Sequence, residues 1–292
     1  MFGRARVGEF LLNLLNASTV TRYRARAALF DDWCQAHHLN WDALPEEDQD
    51  IALADFCLDL RDEGQTLQAG RDAVSALQKL WPRRRWTAAW QVVRGWSQLV
   101  PPKRAPPLPE EVAMALVTLF MAAGRPACSL ASLLAFCGLL RIGEALNIRR
   151  RDIVLGDRLV VLLLPTTKTG AHQRVCLGNP EVVTFLRCAL LMIPGANEDI
   201  ICAISYTTFR KWLTRALAVL GCSSFEFRSH SFRRGGATAL FARGLPLSSM
   251  MIHGRWASET SCRLYVQAGE AALIAIRRTI APASRQRVAT LA

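Results

Sequence analysis

Five prolines fall within ten residues in the segment VPPKRAPPLP, positions 100–109. Proline fixes φ and carries no amide hydrogen, so such a stretch can be neither helix interior nor central strand. It therefore reads as a linker between an N-terminal domain, residues 1–99, and a larger C-terminal domain, residues 110–292. The chain has 292 residues, 51% of them hydrophobic, enough for two domains with cores of their own.

The net charge is +12, and it is unevenly placed. Residues 1–100 carry 12 Lys/Arg against 13 Asp/Glu, whereas residues 201–292 carry 13 against 3. A basic C-terminal part points to an anionic partner, with nucleic acid ahead of a membrane surface. The apolar stretches near 112–124 and 128–140 are too short to cross a bilayer and read as buried helices. The nine cysteines are odd in number and contain no CxxC pair, which argues against a disulfide framework or a zinc site and for an intracellular setting. No secretory leader is visible in MFGRARVGEF.

Before the linker the apolar residues follow a helical period. Val20, Tyr23, Ala27, Phe30 and Cys34 recur every three to four residues, with Ser18 or Thr19 as the expected cap. A second helix is expected over 48–64, and others near 66–80 and 86–98. The segment WPRRRWTAAWQVVRGW interleaves Arg83, Arg84, Arg85 and Arg94 with tryptophans. The reading is mixed: tryptophans in the core, some of these arginines on nucleic acid phosphates.

After the linker, helices are expected to about residue 124 and from 128 to 147. Then the period changes. RLVVLLLP (158–165) and RVCL (174–177) read as two strands joined by the turn-like TTKTGAHQ (166–173). The fold class is thus mainly α with a small antiparallel β-hairpin: a helical first domain and an α+β second domain.

Three local patterns could carry chemistry. In LLRIGEALNIRRRDI, Arg141 sits among apolar residues and needs a partner or ligand, with Glu144 one turn on. In RSHSFRRGGATAL, His230 and Arg233 are three apart, so one can trade a proton where the other holds charge. In HGRWASETSCRLYVQ, Tyr265 follows Trp256 by nine residues. Each alone is weak, and a surface ion pair, a chance H-x-x-R or a packed tyrosine would explain it.

In this order, with a lysine in a hairpin turn between them, the patterns resemble the tyrosine recombinases, the phage-integrase-like enzymes that cut and rejoin DNA. The closing box is similar to the form found in mobile elements of eukaryotes and in some phage members. The resemblance covers residues 110–270 well and 15–100 only in general pattern. It implies that Tyr265 is the nucleophile, Arg141 and Arg233 hold the scissile phosphate, and Lys168 is the general acid. It further implies His230 as base, Trp256 in the penultimate site position, and Glu144 as support for Arg141. His253 lies twelve residues from Tyr265, off the family spacing, and is read as structural. His172 and Arg234 are added as DNA contacts. Residues 1–99 would be the family's core-binding domain and 110–292 its catalytic domain with a C-terminal helix, 270–281, that docks on its own domain or on a neighbour.

The implied partner is double-stranded DNA, held by a homotetramer on DNA, with a monomer in free solution and no membrane. No cofactor or metal is expected, and a eukaryotic host would place the protein in the nucleus. Three alternatives stand beside this: type IB topoisomerase-like relaxation, a non-catalytic DNA-binding relic of a mobile element, and a basic helical scaffold that binds RNA or a partner protein.

Overall fold

The computed structural model describes residues 6–101, 104–167 and 170–292; the side chains at 166, 167, 170, 171, 264, 267 and 268 lie outside the described set. The chain forms two compact units, Met1–Lys103 and Arg104–Ala292.

The first unit is helical: α1 (Arg6–Asn13), α2 (Ala17–Ala36), α3 (Glu46–Asp62), α4 (Leu67–Leu80) and α5 (Thr87–Leu99). Helix α2 starts ahead of Thr19, because Asn16 is the cap and its side chain accepts the Thr19 N–H. Ala27, Phe30 and Cys34 are buried, with Val20 and Tyr23 packed beside them. The core is aromatic. Trp41 stacks on Trp86 at 5.7 Å and meets Phe30 edge-on at 4.7 Å. Asp50, itself buried, reaches from α3 to accept the N–H groups of Ala88 and Ala89 at 2.7 and 3.0 Å. A carboxylate thus closes the N-terminus of α5, where unpaired amides and the helix dipole favour negative charge.

The second unit begins inside the proline stretch. Leu108 is fully buried, and its N–H donates to Ser231 O at 3.0 Å. Helices α6 (Glu110–Ala122) and α7 (Pro126–Cys137) follow. The single helix expected over 128–147 is broken. Leu139 has φ 48°, and Arg141 is extended, standing as the cap of α8 (Ile142–Asn147) rather than within a helix. The Glu144 carboxylate turns back to the Arg141 N–H at 2.8 Å and satisfies an amide that the break exposes.

The sheet contains one strand more than the two expected. Strands β1 (Ile153–Leu155), β2 (Val160–Thr167) and β3 (Gly170–Leu177) form an antiparallel sheet in the order β1-β2-β3. The β2–β3 register runs from Val160↔Leu177 to Thr167↔Gly170, so most of the expected turn 166–173 is strand. Val160, Leu162, Leu164, Val175 and Leu177 are buried on one face, as the two-residue period requires.

Helices α9 (Pro180–Met192), α10 (Tyr206–Val219), α11 (Ser229–Ala242), α12 (Leu247–Gly254), α13 (Glu259–Thr279) and α14 (Pro282–Leu291) complete the unit. The helix expected over 270–281 is not separate, because α13 runs unbroken from ahead of Tyr265 to Thr279. Its end is anchored on its own unit. Ile276, Ile280 and Val288 join the same core as α6 and α7, and Arg277 pairs with Glu111 at 2.8 Å. Helix α11 is central and approaches its neighbours closely through two glycines. A Cβ on Gly235 would lie 2.0 Å from Leu108 O, and one on Gly236 2.0 Å from Phe136 O. Among the described residues no helix is long and apolar enough to cross a membrane.

Candidate active site

The first turn of α11, the α12–α13 junction, the N-terminal part of α13 and the α7–α8 break converge on one place. His230 on α11 faces Tyr265 on α13, with Nε2 2.7 Å from the hydroxyl. The rings meet edge-on at 5.5 Å. On the other side of Tyr265 the Trp256 ring lies 4.9 Å away and is only 9% exposed. Beneath both is Arg233, its guanidinium carbon 4.8 Å from the Trp256 centroid and 5.9 Å from that of Tyr265.

Arg233 is almost wholly buried, at 1% exposure. Its terminal nitrogens donate to Leu139 O and Gly254 O, while Nε has no partner among the described residues. The positive φ at Leu139 is what turns that carbonyl toward the arginine's helix instead of continuing α7. Burial, joined by the nearby charge of Arg141, lowers the Arg233 guanidinium to about 10. It remains charged at neutral pH.

Arg141 is more open, with 28% of its side chain exposed, and its Nη1 donates to Glu144 at 2.8 Å. The Glu144 side chain, 9% exposed, holds a second cation, Arg255, at 2.6 Å. Burial alone would push the Glu144 carboxyl up. The charge of Arg255 and the donors of Arg141 outweigh it and hold the group below the usual carboxylate range.

The positive surroundings act in the opposite sense on His230. Partial burial, then the charges of Arg233, Arg234 and Arg141, push its imidazole down to about 4. At neutral pH it is therefore a neutral ring. In the tautomer protonated at Nδ1, its Nε2 accepts the Tyr265 O–H. The site thus combines a hydroxyl with an acceptor for its proton, inside a field set by three guanidinium groups. Such a field favours a phosphate and any negative charge that develops on it.

The segment that carries these groups, residues 120–271, matches the phage integrase family. The chain belongs to the phage integrase family. No curated protein matches it. Among solved structures, this integrase-family chain is similar to the XerH site-specific recombinase in a pre-cleavage complex with its difH substrate. That match has TM-score 0.62 and 17% identity and covers 89% of this chain and 79% of that one. It is also similar to the Tn1549 transposon integrase in complex with transposon right end DNA, at TM-score 0.61 and 12% identity, covering 93% and 98%. At such identities the likeness is one of fold, and it extends over both units.

The remaining expected site residues of this family member are placed as follows. Lys168 lies outside the described residues. His172 is exposed on β3 with φ 51°. Arg234, expected on DNA, is 6% exposed instead, with Nη1 donating to Ala105 O at 2.6 Å, so it holds the entry of the chain into the second unit. His253 is turned to the main chain of α7, its Nε2 2.9 Å from Cys137 O. In the first unit Arg83, Arg85 and Arg94 are exposed. Arg84 is not free for a ligand: it bonds Gln49, lies 3.8 Å from Glu46 and sits over Trp81. Trp86 and Trp96 are buried and Trp90 half-buried.

Arg255 was not among the expected site residues. Its partners Glu144 and Leu139 are more than a hundred positions away in sequence. Among the described residues no group of three His, Cys, Asp or Glu side chains could hold a metal ion.

Proposed function

We propose that this protein is a site-specific tyrosine recombinase that breaks and rejoins double-stranded DNA through a 3′-phosphotyrosine link. The observation that carries the reading is the 2.7 Å contact of His230 Nε2 with the Tyr265 hydroxyl above the Arg233 guanidinium. A phosphodiester resists attack because its charge repels nucleophiles and its alkoxide leaves poorly. Arg141 and Arg233 offset the charge on the non-bridging oxygens, and their bonds strengthen as negative charge builds. Arg141 has a part-open fork for this, while Arg233 keeps further N–H groups beside the two it spends on backbone carbonyls.

In the reaction, Tyr265 Oη bonds to phosphorus, its proton passes to His230 Nε2, and the bond to the 5′ oxygen breaks. The departing oxygen takes a proton from a general acid, the role the family resemblance gives Lys168. The bond energy is kept in the phosphotyrosine. A 5′-hydroxyl reverses the same steps, so rejoining needs neither ATP nor a metal. Trp256 excludes water from one flank of Tyr265.

The first unit serves as the core-binding domain, with Arg83, Arg85 and Arg94 as its phosphate contacts. Four strands must be cut in a complete exchange, which calls for a tetramer on DNA. The form of the HGRW box is the ground for assigning the chain to a eukaryotic mobile element, and hence to the nucleus.

The test is incubation with a nicked suicide substrate drawn from DNA flanking the gene, followed by denaturing electrophoresis. A covalent adduct with the native protein and none with Tyr265→Phe is expected. An adduct that survives Tyr265→Phe overturns the nucleophile. Salt-sensitive binding with no adduct favours the non-catalytic DNA-binding alternative, and relaxation of supercoiled DNA without a target sequence favours the topoisomerase one.

A further inference from the structure

We propose that Arg255 is a positioning residue for cleavage: from a buried turn it holds Glu144 and, through Glu144, the fork of Arg141. The proposal rests on the recombinase reading above.

Four observations carry it. Arg255 adopts φ 55°, ψ 45°, a left-handed conformation that costs any residue with a Cβ, at the end of α12, where the N–H groups of Arg255 and Trp256 close the turn on Ile252 O and Met251 O. The side chain is 4% exposed, and its Nη2 is spent inside the protein on Glu144 and on Leu139 O. Its Nη2 is 2.6 Å from Glu144 Oε2, the same oxygen that accepts the Arg141 N–H at 2.8 Å, while Glu144 Oε1 accepts Arg141 Nη1 at 2.8 Å. Both carboxylate oxygens are thereby fixed, and Arg141 is gripped by main chain and side chain together.

The fourth observation is that Nε and Nη1 of Arg255 are buried without partners among the described residues. An arginine buried only for stability would leave fewer donors unmatched, since each costs desolvation. Here one carboxylate is shared by two guanidinium groups, with a third, Arg233, close by. The excess positive charge is what an arriving phosphate offsets.

The neighbours of Arg255 fit the same role. Gly254 O accepts from Arg233, and a Cβ on Gly254 would lie 2.0 Å from the Trp256 ring. Trp256 packs on Tyr265. Three consecutive residues therefore each align one group of the site, and Arg255 is the one that reaches Arg141.

Arg255→Gly suits the left-handed turn and removes the ion pair, and Arg255→Lys keeps the charge. With the suicide substrate, Arg255→Gly should slow adduct formation by about 10- to 100-fold, while DNA affinity changes by less than about threefold. Arg255→Lys should recover part of the rate. On an Arg141→Ala background, Arg255→Gly should add less than about threefold, because both act through one group. In the free protein, the Glu144 carboxyl, followed by NMR with labelled glutamate, should titrate at higher pH in Arg255→Gly.

A wild-type rate for Arg255→Gly, or its full effect repeated on Arg141→Ala, overturns the proposal. If the native protein yields no Tyr265-dependent adduct, the recombinase reading fails instead. The Glu144 titration then still decides about Arg255: an unchanged titration shows that Arg255 does not hold Glu144.

Discussion

The Nε2 atom of His230 stands 2.7 Å from the hydroxyl of Tyr265, bridging α11 and α13. A base at that distance works only while unprotonated. With the imidazole pushed down to about 4 by burial and by three arginines, the free protein keeps it unprotonated well below neutrality. The kcat/KM of cleavage reports the free enzyme. It should show no histidine-dependent fall between about pH 7 and pH 5, and should decline only as the pH approaches about 4. A decline centred near 6.5 would mean that His230 is not the group in control.

The same shift has a consequence for stability. The folded state binds the His230 proton only near pH 4, whereas the unfolded chain binds it near 6.5. As pH falls through that window the unfolded state takes up the proton first, so stability drops. Urea denaturation at pH 7 and pH 5 should show a smaller drop for His230→Gln than for the native protein.

The Glu144 carboxylate lies against two guanidinium groups. Removing its charge strands them. Glu144→Gln should destabilise the second unit by about 3 kcal/mol and cut the cleavage rate, as measured by urea denaturation and by adduct formation. Its lowered carboxyl gives a sign as well: this stabilisation is present above the ordinary glutamate range and fades as acid protonates the folded state.

Gly236 and Gly143 make a matched pair. A Cβ on Gly236 would meet Phe136 O at 2.0 Å, whereas one on Gly143 meets nothing within 4 Å. Gly236→Ala should therefore push α11 from α7 and cost about 1–3 kcal/mol, with slower cleavage. Gly143→Ala, inside α8, should be neutral or gain up to about 1 kcal/mol. Thermal melts of the two variants check this.

In the first unit, Arg83, Arg85 and Arg94 are exposed and Arg84 is tied to Gln49 and Glu46. Alanine at each exposed position should lower the slope of log K against log salt by about 1 for each DNA phosphate that the arginine neutralises. Arg84→Ala should leave the slope alone and lower the melting temperature.

Local spacing made part of the site legible. His230 and Arg233 are one turn apart, and the Trp256–Tyr265 interval is short, so their association could be read from neighbours in the chain. The helical period of α2 was likewise plain, since Ala27, Phe30 and Cys34 all face one core. What could not be read depends on distant partners. Arg141 was expected inside a helix because nothing in the sequence announces a leucine at φ 48°. Arg234 was expected to face DNA because its partner, Ala105 O, is 129 residues away. Arg255 went unmarked because Glu144 is 111 residues away. Strand β1 is three residues long, too short to show a period.

The uninterrupted length of α13 joins two cores. Cys262 and Val266, on either side of Tyr265, pack with Met250 and Trp256, while Ile276, eleven residues beyond Tyr265 and roughly 16 Å away at about 1.5 Å per residue, lies in the core shared with α6 and α7. Between the two, α13 runs so close to α11 that a Cβ on Gly269 would lie 2.2 Å from Thr238 Oγ1. The nucleophile is thus clamped along its helix, and a displacement of about 1 Å can cost about a hundredfold in rate. A substitution that loosens either anchor reaches the reaction through the helix, without touching the site itself.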